Sequence, residues 1–245
     1  MAVSRPGLSD GAGSSAQERY RELWAEGRRR RLVVRAALTL AAFLVVGWLW
    51  NWWAAAVVAA VVALADTVHR WRSHEAVRTW RKGAQGERRT ARMLRPLRRR
   101  GYTVLHDRAL PSSRANVDHL VIGSTGVFVV DTKNWRKDRR VTRRGRYVHI
   151  GGTWGDKAVR SVRYESRRVA EVLGRATGRP VDVTPLLAIH GPNVPLLRVI
   201  RVEGVPLLRA SQVRGWITRG TGRLSAEEVA RLSEAAERLF PPYTG

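Results

Sequence analysis

The sequence predicts an α/β domain preceded by a transmembrane helical hairpin, and three observations predict it. Residues 32–65 are almost wholly apolar, residues from Gly83 onward alternate helical and strand periods, and residues 127–135, VFVVDTKNW, read as an apolar strand that abruptly takes on an acid and a base. At 245 residues with 44% apolar content the chain can bury one sizeable core. The absence of cysteine excludes disulfide scaffolds, zinc–thiolate sites and thiol catalysis, so any metal is held by oxygen or histidine. A formal charge of +25 attracts polyanions, whether nucleic acid or anionic lipid.

Residues 1–31 lead with a Gly-, Ser- and Ala-rich stretch that has no periodicity, followed by a short basic segment. Next comes LVVRAALTLAAFLVVGWLWNWWAAAVVAAVVALA, in which Arg35 and Asn51 are the only strongly polar residues. As one helix these residues would extend about 51 Å against a hydrocarbon core of roughly 30 Å. Two arms turning at Asn51 fit better, with Trp48, Trp50, Trp52 and Trp53 clustered at the turn, where amphipathic rings favour the interface. Basic flanks on both sides, Arg28 to Arg31 and then Arg70, Arg72, Arg78, Arg81 and Lys82, favour a hairpin over 32–69 with both ends cytoplasmic. A single tilted span is the other arrangement that these residues allow. This places the protein in the cell membrane, in contact with lipid, with residues 70–82 as a basic connector.

Residues 83–210 form the expected globular domain. GAQGERRTARMLRPLRRRG reads as a helix ending at Gly101, with Glu87, Ala91 and Leu94 on one face, so that Glu87 points with the apolar stripe. YTVLHD is a strand, and NVDHLVIGSTGVFVVDTK is two strands joined at a short turn, residues 123–126. If Ile122 pairs with Val127, Asp118 falls opposite Asp131, and Lys133 shares their face by the period of two. Two facing carboxylates destabilise a sheet unless a cation lies between them or one is protonated. A divalent ion such as Mg²⁺, or Mn²⁺, resolves this with oxygen ligands. Asp118, Asp131 and Lys133 together suit phosphodiester hydrolysis, the lysine positioning or helping to deprotonate the attacking water. Only Lys82, Lys133, Lys137 and Lys157 are lysines among 45 basic residues, so a lysine at position 133 stands out.

Further along, KAVRSVRYESRRVAEVLG places Ala158, Val162, Glu165, Val169 and Val172 on one helical stripe. Glu165 is its lone polar member, reaching either the metal and substrate or a buried arginine. His119 lies on the face opposite Asp118 and belongs to packing, while His106 and His190 lack the paired spacing of a zinc site. Trp135, Arg136, Arg139 and Arg140, with Arg143 and Arg144, are candidates for contact with a nucleic-acid backbone. No Walker-type loop occurs, so ATP hydrolysis has no support. VTPLLAIHG and VIRVEGVPLLRA read as further strands, and residues 211–245 as a helical extension opened by the capping box Ser225 to Glu228.

GERRTARML, GYTVLHD and NVDHLVIGSTGVFVVDTKNW, in that order, resemble the nuclease-related (NERD) domain, a branch of the PD-(D/E)xK restriction-endonuclease-like superfamily. The resemblance is strong over residues 83–137 and weaker towards 210. It implies a restriction-endonuclease-like fold with a central mixed sheet flanked by helices, and a Mg²⁺-dependent nuclease acting on DNA or RNA. By position, it implies catalytic roles for Glu87, Asp118, Asp131, Lys133 and Glu165, with Glu87, Asp118 and Asp131 at the metal. Family members often carry Gln where this chain has Glu165. The alternative function is a non-catalytic nucleic-acid-binding or membrane-scaffold module on the same fold.

Overall fold

Leu120 to Ile122 and Val127 to Val130 are mostly β-branched and apolar on both faces, the make-up of strands covered on two sides. In the computed structural model, which describes residues 28–49, 52–113, 115–145, 147–150, 153–192, 194 and 199–244, they lie at the centre of a six-stranded mixed sheet. Its strands are β1 (Thr103–Ala109), β2 (Asn116–Gly123), β3 (Gly126–Asn134), β7 (Val183–His190), β9 (Val205–Arg209) and β8 (Ile200–Val202), in that spatial order. β1, β2 and β3 form an antiparallel meander, β7 and β9 continue it in parallel, and β8 closes the edge antiparallel to β9. A second sheet of β4 (Val141–Arg144), β5 (Tyr147–Ile150) and β6 (Thr153–Trp154) occupies the stretch read from sequence only as basic.

Helices cover both faces of the large sheet. One face packs Leu120, Ile122, Val129, Leu187 and Leu207 against Val162, Val169 and Leu173 of α3 (Asp156–Thr177), and against Leu232, Ala236 and Phe240 at α5 (Ala226–Leu239). The other packs Val121, Phe128, Val130, Leu186 and Ala188 against Leu94 and Leu97, and against Val213 and Ile217 of α4 (Ala210–Thr218). Each Leu or Ile so enclosed stabilises the fold by roughly 1.5–3 kcal/mol. A truncation such as Leu120→Ala would add a cavity cost to that loss.

The first helix of the globular unit departs from the expected boundaries. It is the last part of α2, which runs without interruption from Trp52 to Leu94 and continues as a 3₁₀ turn over Arg95–Arg100. Residues 70–82, expected as a basic connector, lie within this helix. Pro96 tightens this end, and Gly101 stops it in the left-handed region at φ 78°. Gly86 sits where an added Cβ would lie 2.9 Å from Cβ of Asn134, so the helix rests directly on the end of β3. That close approach offsets the usual cost of glycine inside a helix, about 1 kcal/mol.

Two compact units divide between Arg81 and Lys82. The N-terminal one contains α1 (Arg28–Leu49) and the beginning of α2. Its large apolar side chains face outward: Val33, Leu38, Leu40 and Leu44 on α1, then Val57, Val61 and Leu64 on α2, with Trp48 and Trp53 exposed by 87% and 84%. Among the described residues no helix is long and apolar enough to cross a membrane. The proposed turn at Trp50 and Asn51 lies outside the described residues, as does the lead before Arg28.

Candidate active site

The register on which the site depends is the one the turn implies. Ile122 pairs with Val127, Leu120 with Val129 and His119 with Val130. The ladder stops there because the side chain of Asp118 takes over the next rung: the Thr132 backbone N–H donates to Asp118 Oδ2 at 2.8 Å. This fixes one carboxylate oxygen at the end of the hairpin beside Asp131. Asp131 is buried, and the charge of the neighbouring Asp118 carboxyl bears on it.

A third acid extends the row. His106 pairs with His119 and Arg108 with Val117, leaving Asp107 and Asp118 between them. Asp107 adopts φ 48°, a left-handed conformation that removes it from the ladder, and Asn116 Nδ2 donates to its Oδ1 at 2.9 Å. Asp107, Asp118 and Asp131 thus occupy successive strands at the same end of the sheet. Asp107 was not legible as a site residue, since its strand YTVLHD gives no sign of a backbone reversal.

Lys133 closes on this row. Its Nζ donates to Asp131 Oδ1 at 2.6 Å, while Asp131 Oδ2 is buried with no hydrogen-bond partner among the described residues. Burial pushes the Asp131 carboxyl up to about 7, with Lys133 acting against the shift and Asp118 adding to it. Burial alone would lower Lys133, but the Asp131 and Asp118 carboxylates outweigh it and hold the ammonium firmly protonated.

Glu87 and Glu165 approach from the helices on opposite faces. Glu87 is half-buried on α2, with Ala91 and Leu94 buried on the same stripe as expected. Its carboxyl is pushed up to about 8, first by burial, then by Asp118 and Asp107, with Lys133 opposing. Glu165 is buried on α3 between Val162 and Val169, and Ser161 Oγ donates to its Oε1 at 2.8 Å. Burial, then Asp131 and Asp118, raise it well above the ordinary carboxyl range. Among the described residues no arginine contact accounts for Glu165, and Ser161 was a partner that the sequence did not reveal.

Among the described residues no group of three or more His, Cys, Asp or Glu side chains already converges to enclose a metal ion. The donor set nevertheless fits a hard divalent cation. Mg²⁺ commonly takes one or two carboxylates and fills its shell with water and phosphate. Asp131 offers a buried oxygen without a partner, next to a carboxyl that repels it.

From Lys133 a cleft of about 410 Å³ leads outward, lined by Trp135, Arg136, Arg139, Trp154, Lys157 and Ser161 among others. Of the four nucleic-acid candidates, Trp135 is half-buried against the core and Arg139 half-exposed, while Arg136 forms an exposed ion pair with Asp138 at 2.9 Å. Arg140 is exposed and does not line the cleft. On the opposite face of the sheet, His106 and His119 meet through their Nδ1 atoms at 2.9 Å, and His119 Nε2 lies 3.2 Å from Thr132 Oγ1. His190 bonds to Thr90 at 2.8 Å. These histidines belong to the packing beneath the site.

Fold and site together define an α/β domain with a largely buried acidic row and a lysine at one end of a mixed sheet. Residues 82–190 of the chain match the nuclease-related domain family, NERD. An uncharacterized protein of Bacillus anthracis is 44% identical over 57 residues, which are 22% of this chain and 27% of that protein. The chain thus covers well under half of that relative's length. No solved structure matches.

Proposed function

We propose that this chain is a membrane-anchored, Mg²⁺- or Mn²⁺-dependent nuclease whose restriction-endonuclease-like domain lies on the cytoplasmic side of the cell membrane. The observation that carries the reading is the unpartnered buried oxygen of Asp131, set between Asp118 and Lys133 at the head of a basic cleft. Asp118 and Asp131 would hold the ion, with Glu87 completing the acidic side. When bound, it supplies Lewis-acid stabilisation of charge developing on a phosphodiester. Lys133 contributes a protonated ammonium at Nζ, which orients the attacking water and offsets negative charge on phosphorus. Glu165, kept in place by Ser161, orients substrate from the other helix. The basic lining of the cleft attracts the phosphate backbone.

Membrane attachment rests on a separate observation. The many exposed apolar side chains of α1 and α2 are costly in water but at ease in lipid. Each arm of the proposed hairpin, about 17 residues of the apolar stretch, lies at the short end of the spanning range.

The deciding experiment incubates the full chain in detergent with single- and double-stranded DNA and RNA, with Mg²⁺ and then with EDTA. Chelator-sensitive cleavage, lost in Asp131→Asn, is expected. Salt-sensitive binding without cleavage would instead assign the chain to a non-catalytic nucleic-acid-binding module.

A further inference from the structure

The small sheet beside the cleft has two unlike faces. Val141, Val148 and Ile150 point inward and are buried. The outward face carries Tyr147, His149 and Trp154, since His149 pairs with Trp154 and Tyr147 lies two residues from His149 on the same strand. Trp154 is 62% exposed and Tyr147 40%. The rings of Tyr147 and His149 each stand edge-on to Trp154 with centroids 5.5 Å apart. Large rings left this open do not contribute to the core, so burial does not explain them.

The face is held in a defined place. Gly155 N–H donates to Val148 O at 2.9 Å, and Val148 N–H donates to Asp156 Oδ1 at 3.0 Å. A Cβ at Gly155 would lie 2.5 Å from Ile150 Cδ1, so the hairpin and the start of α3 meet without room for a side chain. Trp154 is thereby fixed immediately before the helix that carries Glu165, and it lines the same cleft as Lys133. Arg136, Arg139 and Lys157 line that cleft too, and Arg144, paired with Tyr147, shares the outward face.

We propose that this aromatic face is a stacking platform for unpaired nucleobases, so that the substrate class of the neighbouring centre is single-stranded nucleic acid. The proposal rests on the nuclease reading for the site it serves, though the platform's own binding does not require cleavage. Exposed rings on a sheet, interleaved with positive side chains, suit a flexible strand whose bases are free to stack while its phosphates follow the arginines. In a duplex the bases are already stacked on each other, so the rings gain little from it. A lipid interface would also accommodate Trp and Tyr, but it gives no reason for the rings to open into a cleft ending at Lys133.

The test measures binding of the full chain, in detergent and EDTA, to a fluorescently labelled oligothymidylate and to a duplex of equal phosphate number. Trp154→Ala is expected to weaken single-strand binding about ten-fold, the scale of one lost stacking contact, and to leave duplex binding unchanged. Tyr147→Ala should act in the same direction, and Trp154→Phe should restore most of the affinity, with unchanged thermal melting confirming the fold. Equal loss on both ligands, no loss on the single strand, or loss only of binding to anionic lipid vesicles would each overturn the platform. The two readings separate cleanly. A protein that never cleaves but shows this selective loss keeps the platform and discards hydrolysis, whereas one that cleaves in Mg²⁺ but whose single-strand binding is indifferent to Trp154 keeps hydrolysis and discards the platform.

Discussion

Lys133 is where charge and shape can be told apart. Its ammonium meets Asp131 at 2.6 Å in a half-buried position, and a guanidinium there would bring the same charge with a wider, planar head. Lys133→Arg is therefore expected to reduce Mg²⁺-dependent cleavage by about a hundred-fold or more while leaving nucleic-acid binding in Ca²⁺ within a few-fold. Wild-type turnover in that variant would show that any positive charge suffices. Glu87 allows a test by pH. Its carboxyl rises from 4.5 to about 8 on folding, so its neutral form is the one that the fold favours. The stability it permits is complete below 4.5 and is lost as pH climbs through about 8. Glu87→Gln, measured by thermal melting in EDTA, should match the parent in acid and exceed it above that range. A parent that melts no lower than the variant in alkali would show that the carboxylate is accommodated in its charged form.

At the scale of elements, β1 and β2 carry the opposite dependence. His106 and His119 are buried together, and burial lowers each from 6.5 to about 3, with the neighbouring histidines adding to the effect. Their contribution is present above 6.5 and disappears as pH falls towards 3, since the unfolded chain takes up protons that the sheet refuses. Near-ultraviolet circular dichroism across that window should show an acid loss of tertiary structure. The paired change His106→Leu with His119→Leu should flatten it, and an unaltered profile would place acid sensitivity elsewhere. The β2–β3 register was readable from the sequence because two apolar runs joined by a four-residue turn leave few choices. Glu87 and Glu165 were readable because a helical stripe with one acid in it has a single inward face. By contrast, Trp154 lies in GGTWGDK, where a two-residue strand is shorter than any period that could announce it. The join at residues 70–82 was legible in principle: no glycine or proline separates Trp52 from Lys82, so nothing stops the helix.

Across the whole molecule, a formal charge of +25 acts together with the apolar N-terminal arms. Basic residues before and after these arms favour one side of a membrane for both flanks. Reporter fusions placed after Arg31 and at Gly245 should therefore both report the cytoplasm. Opposite locations would replace the hairpin with a single span.

Chain topology also sets an order of assembly. β1, β2 and β3 are neighbours in sequence, whereas β3 meets β7 only after the chain has passed through the small sheet and α3. Loop closure makes the meander the earlier event and the parallel pairing the later one. On that order Asp131 would be enclosed only when α3 brings Glu165 to it. Enclosing Asp131 and Glu165, whose charged forms burial disfavours, should then make stopped-flow refolding in EDTA slow as pH rises and recover when Mg²⁺ is supplied. A refolding rate indifferent to both would mean that the acidic row is dehydrated only after the rate-limiting barrier has been crossed.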